Sequence, residues 1–221
     1  MTASPTSGTR AVIFDMDGVL TDSEPLICDA ALAMFKELGV TAQPADFRPF
    51  VGTGEDRYLG GVAARYGLNL DLPAAKRRTY EFYLQMIPGR LKAFPGAVAL
   101  VRRCLAACLR VAVASSADWI KVEANLNAIG LPPREWDAIV TAEKVEHKKP
   151  APDIFLAAAH ALNLPPAACV VIEDAVNGID AALAAGIRCI AVAQSFPAAQ
   201  LGRAALIRPT VAELTLADLV A

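Results

Sequence analysis

The chain has 221 residues, 55% of them hydrophobic, and sets 21 basic side chains against 23 acidic ones for a formal net charge of −2. That length suits one good-sized domain, or a core domain with a smaller companion, and the apolar content is enough to bury a substantial core. A near-neutral balance implies neither nucleic acid nor an anionic membrane as partner, and no apolar stretch approaches the ~18 residues of a spanning helix, so no membrane insertion is expected.

Residues 1–9 are rich in Ser, Thr, Pro and Gly and read as a disordered N-terminal segment, too short and too weakly apolar for a signal peptide. The apolar run that follows predicts a strand over Ala11–Asp15. It would set Asp15 and Asp17 at the strand's mouth, with Gly18 free to turn the chain. Two carboxylates that close need a cation or a shared proton. This arrangement suits Mg²⁺-assisted phosphoryl transfer, with one Asp as nucleophile and the other as acid and base. A Ca²⁺ loop of the EF-hand type is excluded, because its fifth, sixth and twelfth positions would be Val19, Leu20 and Leu26. A solvated turn at the end of a strand remains the plain alternative for these six residues alone.

Residues 23–92 show no convincing strand. Helical patterns run over Leu26–Leu38, Asp56–Tyr66 and Ala74–Ile87, with Gly39 placed as a C-cap and Pro73 near a helix start. The segment is expected to be a separate helical module, inserted after the first strand and placed to act as a lid over the strand ends. Residues 10–22 and 93–221 would then form the core domain.

From Gly96 the pattern alternates. Helices are expected over Gly96–Leu109, Asp118–Ile129, Pro152–Leu162 and Gly178–Ala185. Strands are expected over Arg110–Ala114, Ala138–Thr141, Ala168–Glu173 and Arg188–Ala193. Apolar strands that alternate with helices imply a parallel sheet covered on both faces. Reactive residues recur at the strand ends: Ser115 and Ser116 after the second strand, Lys148 and Lys149 after the third, Glu173 and Asp174 at the fourth. Ser115 with Asp118 fits a helix capping box, a role compatible with holding a phosphate at a helix start. Lys149 precedes Pro150-Ala151-Pro152, a stiff approach to the next helix that fixes its position. Glu173 and Asp174 follow buried-type residues and need a counter-ion, which a cation shared with Asp15 would supply.

Five cysteines form an odd set in a chain that needs no disulfide staples, so a reducing compartment fits. Cys104 and Cys108, four apart on one expected helix, read as small packing residues on a shared face. Trp119 and Trp136 likewise read as packing residues.

Asp15-x-Asp17-Gly18, Ser115, Lys149-Pro150 and Glu173-Asp174-Ala175-Val176-Asn177-Gly178 resemble, in order and spacing, the four motifs of the haloacid dehalogenase (HAD) superfamily. The resemblance runs from about Arg10 through the chain and implies a Rossmann-like α/β core with an all-helical C1-type cap. Asp22-Ser23-Glu24-Pro25-Leu26 and Phe94-Pro95-Gly96 are similar to the subgroup that holds β-phosphoglucomutase and many sugar-phosphate phosphatases. The stretch from Gly52-Thr53-Gly54-Glu55 to Leu59-Gly60-Gly61-Val62-Ala63 resembles the HAD domain of the suppressor-of-quenching proteins, large chloroplast proteins with further domains. That resemblance adds the chloroplast stroma to the cytoplasm as an expected setting, and other domains of a longer parent protein as partners.

The resemblance implies that Asp15 attacks phosphorus, that Asp17 serves as acid and then base, and that Ser115, with Ser116 beside it, and Lys149 hold the phosphoryl oxygens. It assigns Mg²⁺ to Asp15, Asp17 through its carbonyl, and Asp174, with Glu173 close behind. Asp17 argues against dehalogenation, whose enzymes lack the second Asp. The His and Arg typical of the mutase fall at Ile27 and at about Gly54, which favours a phosphatase of small phosphate esters, with Arg57 the candidate substitute that keeps the mutase open. A regulatory domain of a larger protein is the third reading. In the cap, Gly54, Glu55 and Arg57 are the candidates for contacting substrate.

Overall fold

The computed structural model describes residues 8–220. The disordered segment expected over residues 1–9 therefore lies, except for its last two residues, outside the described residues. Six strands form one parallel sheet: β1 (Ala11–Phe14), β2 (Arg110–Ala114), β3 (Ala138–Val140), β4 (Cys169–Glu173), β5 (Arg188–Val192) and β6 (Leu206–Arg208), in the order β3-β2-β1-β4-β5-β6. The strand order reverses between β1 and β4, the place where open sheets of this type leave a crevice at their carboxyl ends. Phe14 lies opposite Val113 on β2 and Ile172 on β4, so Asp15, Ala114 and Glu173 stand level at that crevice.

Side-chain alternation sorts the strands into two apolar layers. Val12 and Phe14 face α5 (Ala97–Ala106), α6 (Trp119–Ala128) and α9 (Leu216–Val220), among Leu100, Val122, Leu126 and Leu219. Ala11 and Ile13 face α7 (Asp153–Ala161) and α8 (Val176–Ala184), among Phe155, Ala158, Ile179 and Ala182. Both layers are closed to water, as strands that read as continuous apolar runs require.

Four more helices fill the insertion: α1 (Glu24–Glu37), α2 (Pro44–Phe47), α3 (Glu55–Arg65) and α4 (Leu72–Met86). They bury a cluster of their own around Leu26, Phe35, Phe47, Leu59 and Tyr83, where Phe47 stacks obliquely on Tyr58 with ring centres 4.9 Å apart. The chain leaves the core and returns to it at one place. The Asp22 N–H donates to Lys92 O at 3.1 Å, and the Phe94 N–H donates to Leu20 O at 3.0 Å.

The structure corrects several expectations. β6, α2 and α9 are additional elements of three to five residues, too short to show a period in the sequence. The capping box at Ser115 does not form. Helix α6 begins at Trp119 with Asp118 as its N-cap, while Ser115 Oγ accepts from the Ala117 N–H at 3.1 Å. Cys108 is not on α5, which ends at Ala106. It lies beyond the helix with φ 59°, exposed, whereas Cys104 is buried, so the two share no helical face. All five cysteines are free thiols. Trp136 packs edge-on against Phe14, but Trp119 sits at the surface. No helix among the described residues is long and apolar enough to cross a membrane.

Candidate active site

Three of the sequence-derived site residues stand one place past a strand: Asp15 after β1, Ser115 after β2 and Asp174 after β4. All three are buried, and the backbones of two of them continue the ladder; the Asp15 N–H donates to Ile172 O at 3.0 Å and the Ser115 N–H to Val140 O at 3.0 Å. Gly18, with φ +86°, completes the β1 loop. A Cβ there would stand 1.9 Å from Asp174 Oδ2, so only glycine lets the two loops approach.

Lys149, only 5% exposed, reaches between the strand ends from the loop before α7. Its Nζ donates to Asp15 Oδ1 at 2.5 Å and to Glu173 Oε1 at 2.7 Å. The other oxygen of Glu173 accepts the N–H groups of Asp174 and Ala175, at 2.8 and 2.9 Å. Both oxygens of Glu173 are thus held by the protein, and the side chain fixes Lys149 and the turn after β4. Gly178 makes room for that carboxylate, since a Cβ there would stand 1.8 Å from Glu173 Oε1.

Charge is unbalanced at this end of the sheet. Burial pushes the Asp15 carboxyl up to about 8, with Lys149 pulling the other way and Glu173 and Asp17 adding to the rise. Burial also pushes Asp174 well above the carboxylate range, with Glu173 and Asp15 reinforcing the effect. Burial alone would lower Lys149, but Asp15 and Glu173 more than offset it and raise the ammonium above its ordinary value. Asp15, Glu173 and Asp174 therefore converge around one lysine, Lys149, with Asp17 beside them. Among the described residues, no three His, Cys, Asp or Glu side chains form a ready-made metal cluster.

A cavity of about 50 Å³ opens over these groups, lined on its far side by the helical insertion: Glu24 and Ile27 of α1, the loop Phe50–Gly54, and Glu55 and Tyr58 of α3. Gly54 and Ser116 meet closely across it, for a Cβ on Gly54 would lie 3.3 Å from Ser116 O. Glu55 faces the cavity, with its Oε1 3.1 Å from Lys121 Nζ. Arg57 does not line this cavity; it lies exposed on α3.

Sequence reasoning missed Lys121, Asn125, Tyr83 and Glu24. Lys121 and Asn125 are buried on α6, one turn apart, and both donate to Asp17: Lys121 Nζ to Oδ2 at 3.0 Å, Asn125 Nδ2 to Oδ1 at 3.4 Å. Ser23 Oγ donates to the same Oδ1. Tyr83 OH, from α4, donates to Asn125 Oδ1 at 2.7 Å. Partly buried Glu24 has its carboxyl raised to about 7 by desolvation, with Lys121 opposing and Asp17 and Glu55 adding. One signal was available. A lysine and an asparagine four apart on an otherwise apolar helix face are costly to bury unless they have partners.

Residues 9–186 match the haloacid dehalogenase-like hydrolase family. Over 215 residues the chain is 50% identical to Protein SUPPRESSOR OF QUENCHING 1, chloroplastic, of Arabidopsis thaliana, covering 95% of this chain but 20% of that protein. It thus spans about a fifth of that relative's length. It is 33% identical to hexitol phosphatase B of Escherichia coli K12 over 216 residues, 95% of this chain and 96% of that one. A crystal structure of mutant CbbY from Rhodobacter sphaeroides in complex with xylulose-1,5-bisphosphate superposes with a TM-score of 0.86 at 30% identity, covering 96% of this chain and 99% of that one. With motifs, fold and relatives in agreement, the chain belongs to the haloacid dehalogenase-like hydrolases.

Proposed function

We propose that the chain is a Mg²⁺-dependent phosphatase of small phosphorylated sugars or polyols that works through an aspartyl-phosphate on Asp15, with residues 23–92 as its cap and residues 10–22 and 93–221 as its core. The observation that carries this reading is Asp15 itself. It stands at the strand-order reversal, one oxygen 2.5 Å from Lys149 Nζ, under a small cavity. In this reading the free oxygen of Asp15 attacks phosphorus, while Lys149 and Ser115 hold the phosphoryl oxygens in line. Asp17 gives its proton to the departing sugar oxygen, then takes one from the water that cleaves the acyl-phosphate.

The residues fit a hard divalent cation. Lys149 pairs Asp15 and Glu173 and Lys121 pairs Asp17, which leaves Asp174 without an ammonium, and Asp15 and Asp174 are both held away from their ionised forms by burial. Asp15, Asp174 and the backbone carbonyl of Asp17 would hold Mg²⁺, a ligand set sparse enough for the several waters this ion keeps. When bound, it keeps Asp15 ionised and offsets charge that develops on the phosphoryl oxygens.

The far wall favours a phosphatase over a mutase. A mutase must hold a second phosphate, yet the helical wall presents Glu24, Glu55 and apolar Ile27, Phe50 and Tyr58. The two lysines that line the cavity, Lys121 and Lys149, are both ion-paired. Such a wall suits hydroxyls. The hexitol phosphatase likeness supports the same substrate class, and the likeness to one-fifth of a chloroplastic protein supports a plastid setting within a longer chain.

The test is phosphate release from a panel of hexose, pentose and hexitol monophosphates, with Mg²⁺ and with EDTA, for wild type and Asp15→Asn. Turnover that both EDTA and the substitution abolish, with the variant's circular dichroism unchanged, is expected. Conversion of glucose 1-phosphate to the 6-isomer without phosphate release would establish the mutase instead. A folded, Mg²⁺-binding protein inert to the whole panel would favour the regulatory domain.

A further inference from the structure

Lys121 is 3% exposed and belongs to none of the four motifs, yet its ammonium joins two carboxylates that belong to different parts of the fold. Asp17 Oδ2, in the loop after β1, lies at 3.0 Å; Glu55 Oε1, the first residue of α3, lies at 3.1 Å. The Tyr83 ring closes a third side, its centre 5.6 Å from Nζ. One turn along α6, Asn125 reaches the other oxygen of Asp17 at 3.4 Å and is itself held by Tyr83 OH at 2.7 Å. Both arms that grip Asp17 from α6 are therefore braced by the helical insertion, one through Glu55 on α3 and one through Tyr83 on α4.

A lysine is an expensive side chain to bury unless its charge is matched and its donors are used. An apolar residue would fill the same space on α6 without that cost. The feature that needs explaining is the choice of an ammonium whose partners are the proposed proton donor and a helix start across the cavity.

We propose that Lys121 is a positioning residue for Asp17: it holds the carboxyl at a fixed angle and, through Glu55, makes that angle depend on α3 being seated over the cavity. The proposal rests on the phosphatase reading and adds to it a tie between the acid and the cap. Its consequence is confined to one step, transfer of the Asp17 proton to the leaving oxygen. A sugar oxygen is a poor leaving group and needs that proton, whereas p-nitrophenolate departs without it. The ratio kcat/KM covers events up to departure of the leaving group, so it isolates this step from the later attack of water.

The experiment compares kcat/KM for a hexose monophosphate and for p-nitrophenyl phosphate in wild type, Lys121→Met, Glu55→Gln and the double variant. Lys121→Met is expected to lose on the order of 10²-fold on the sugar ester, the scale of general-acid catalysis, and little on the nitrophenyl ester. Glu55→Gln preserves side-chain volume and reduces the ion pair to a neutral hydrogen bond, so it is expected to show the same bias at smaller size even if Lys121→Met fails to fold. The double variant is expected to be no worse than Lys121→Met, because the two act as one unit. Equal losses on both esters, in whichever variants fold, would overturn the inference while leaving the phosphatase standing. Wild-type protein inert to both esters would overturn the phosphatase reading, and the inference with it.

Discussion

The core side and the helical side of the cavity differ in what fixes their residues. On the core side, Asp15, Ser115 and Asp174 each follow the last residue of a strand, and the ladder sets their height and direction. On the helical side, Glu24, Glu55 and Tyr58 reach the cavity from two helices whose mutual placement depends on a separate apolar cluster. A position fixed by backbone hydrogen bonds tolerates little repacking, while one fixed by side-chain contacts shifts with every change beneath it. The core side should therefore respond to substitution by losing function outright, and the helical side by graded changes.

Lys149→Met is the harshest probe of the core side. It leaves Asp15 and Glu173 buried without their ammonium, which costs roughly 3–5 kcal/mol when one partner of a buried pair is removed. It also removes the donor proposed for the phosphoryl oxygens, a role worth about 10²–10³-fold in kcat. Urea denaturation and phosphate release would read the two effects separately. A variant with wild-type stability would mean that Asp15 and Glu173 find another counter-charge.

Gly178→Ala strikes the same wall from behind. Alanine is the better helix former by about 1 kcal/mol, so any loss of stability must be steric. The new methyl would overlap Glu173 Oε1, which leaves it no place without disturbing the tie to Lys149. A net loss of about 1–3 kcal/mol, the range for overpacking, and a fall in kcat are expected together by thermal melts and kinetics. Lower stability with unchanged kcat would show that Glu173 does not position Lys149.

The same contrast explains what was legible in the sequence. Asp15, Asp17, Ser115, Lys149, Glu173 and Asp174 could be read because each follows a short apolar run or precedes a stiff Pro-rich turn, so one-dimensional pattern carries three-dimensional position. Strands β1 to β5 were legible for that reason, each to within a residue at either end. The edge strand β6 was not, because Leu206-Ile207-Arg208 is only half-buried and ends in an arginine, so no apolar run marks it. Lys121 and Asn125 carried only the signal of two polar residues on an apolar helix face, and their role lies in partners far along the chain, Asp17 and Tyr83. Arg57 shows the reverse failure. Its neighbourhood in sequence suggested the cavity, but on α3 it lies two residues from Glu55, about 200° around the helix, and the helix turns it to the surface.

Glu24→Gln makes the smallest change and tests the helical side most directly. Desolvation raises this carboxyl from an ordinary 4.5 to about 7, whereas the unfolded chain releases the same proton near 4.5. Between those values the folded state binds the proton more tightly than the unfolded state does, so the contribution of Glu24 to stability falls as pH rises through that window. Glutamine stays neutral throughout. The variant should match wild type in melting temperature near pH 4.5 and gain on it up to about pH 7, after which the gain should level off. Partial exposure lets water share the charge, so a gain of about 2–4 °C is expected, what a change of ~1 kcal/mol produces in a chain of this size. The core-side carboxyls titrate alike in both proteins and cancel from the difference. An offset that stays constant from pH 4.5 to 8 would mean that Glu24 ionises as it does in water. The helical wall would then be wet, and its apolar residues would not be what shapes the choice of substrate.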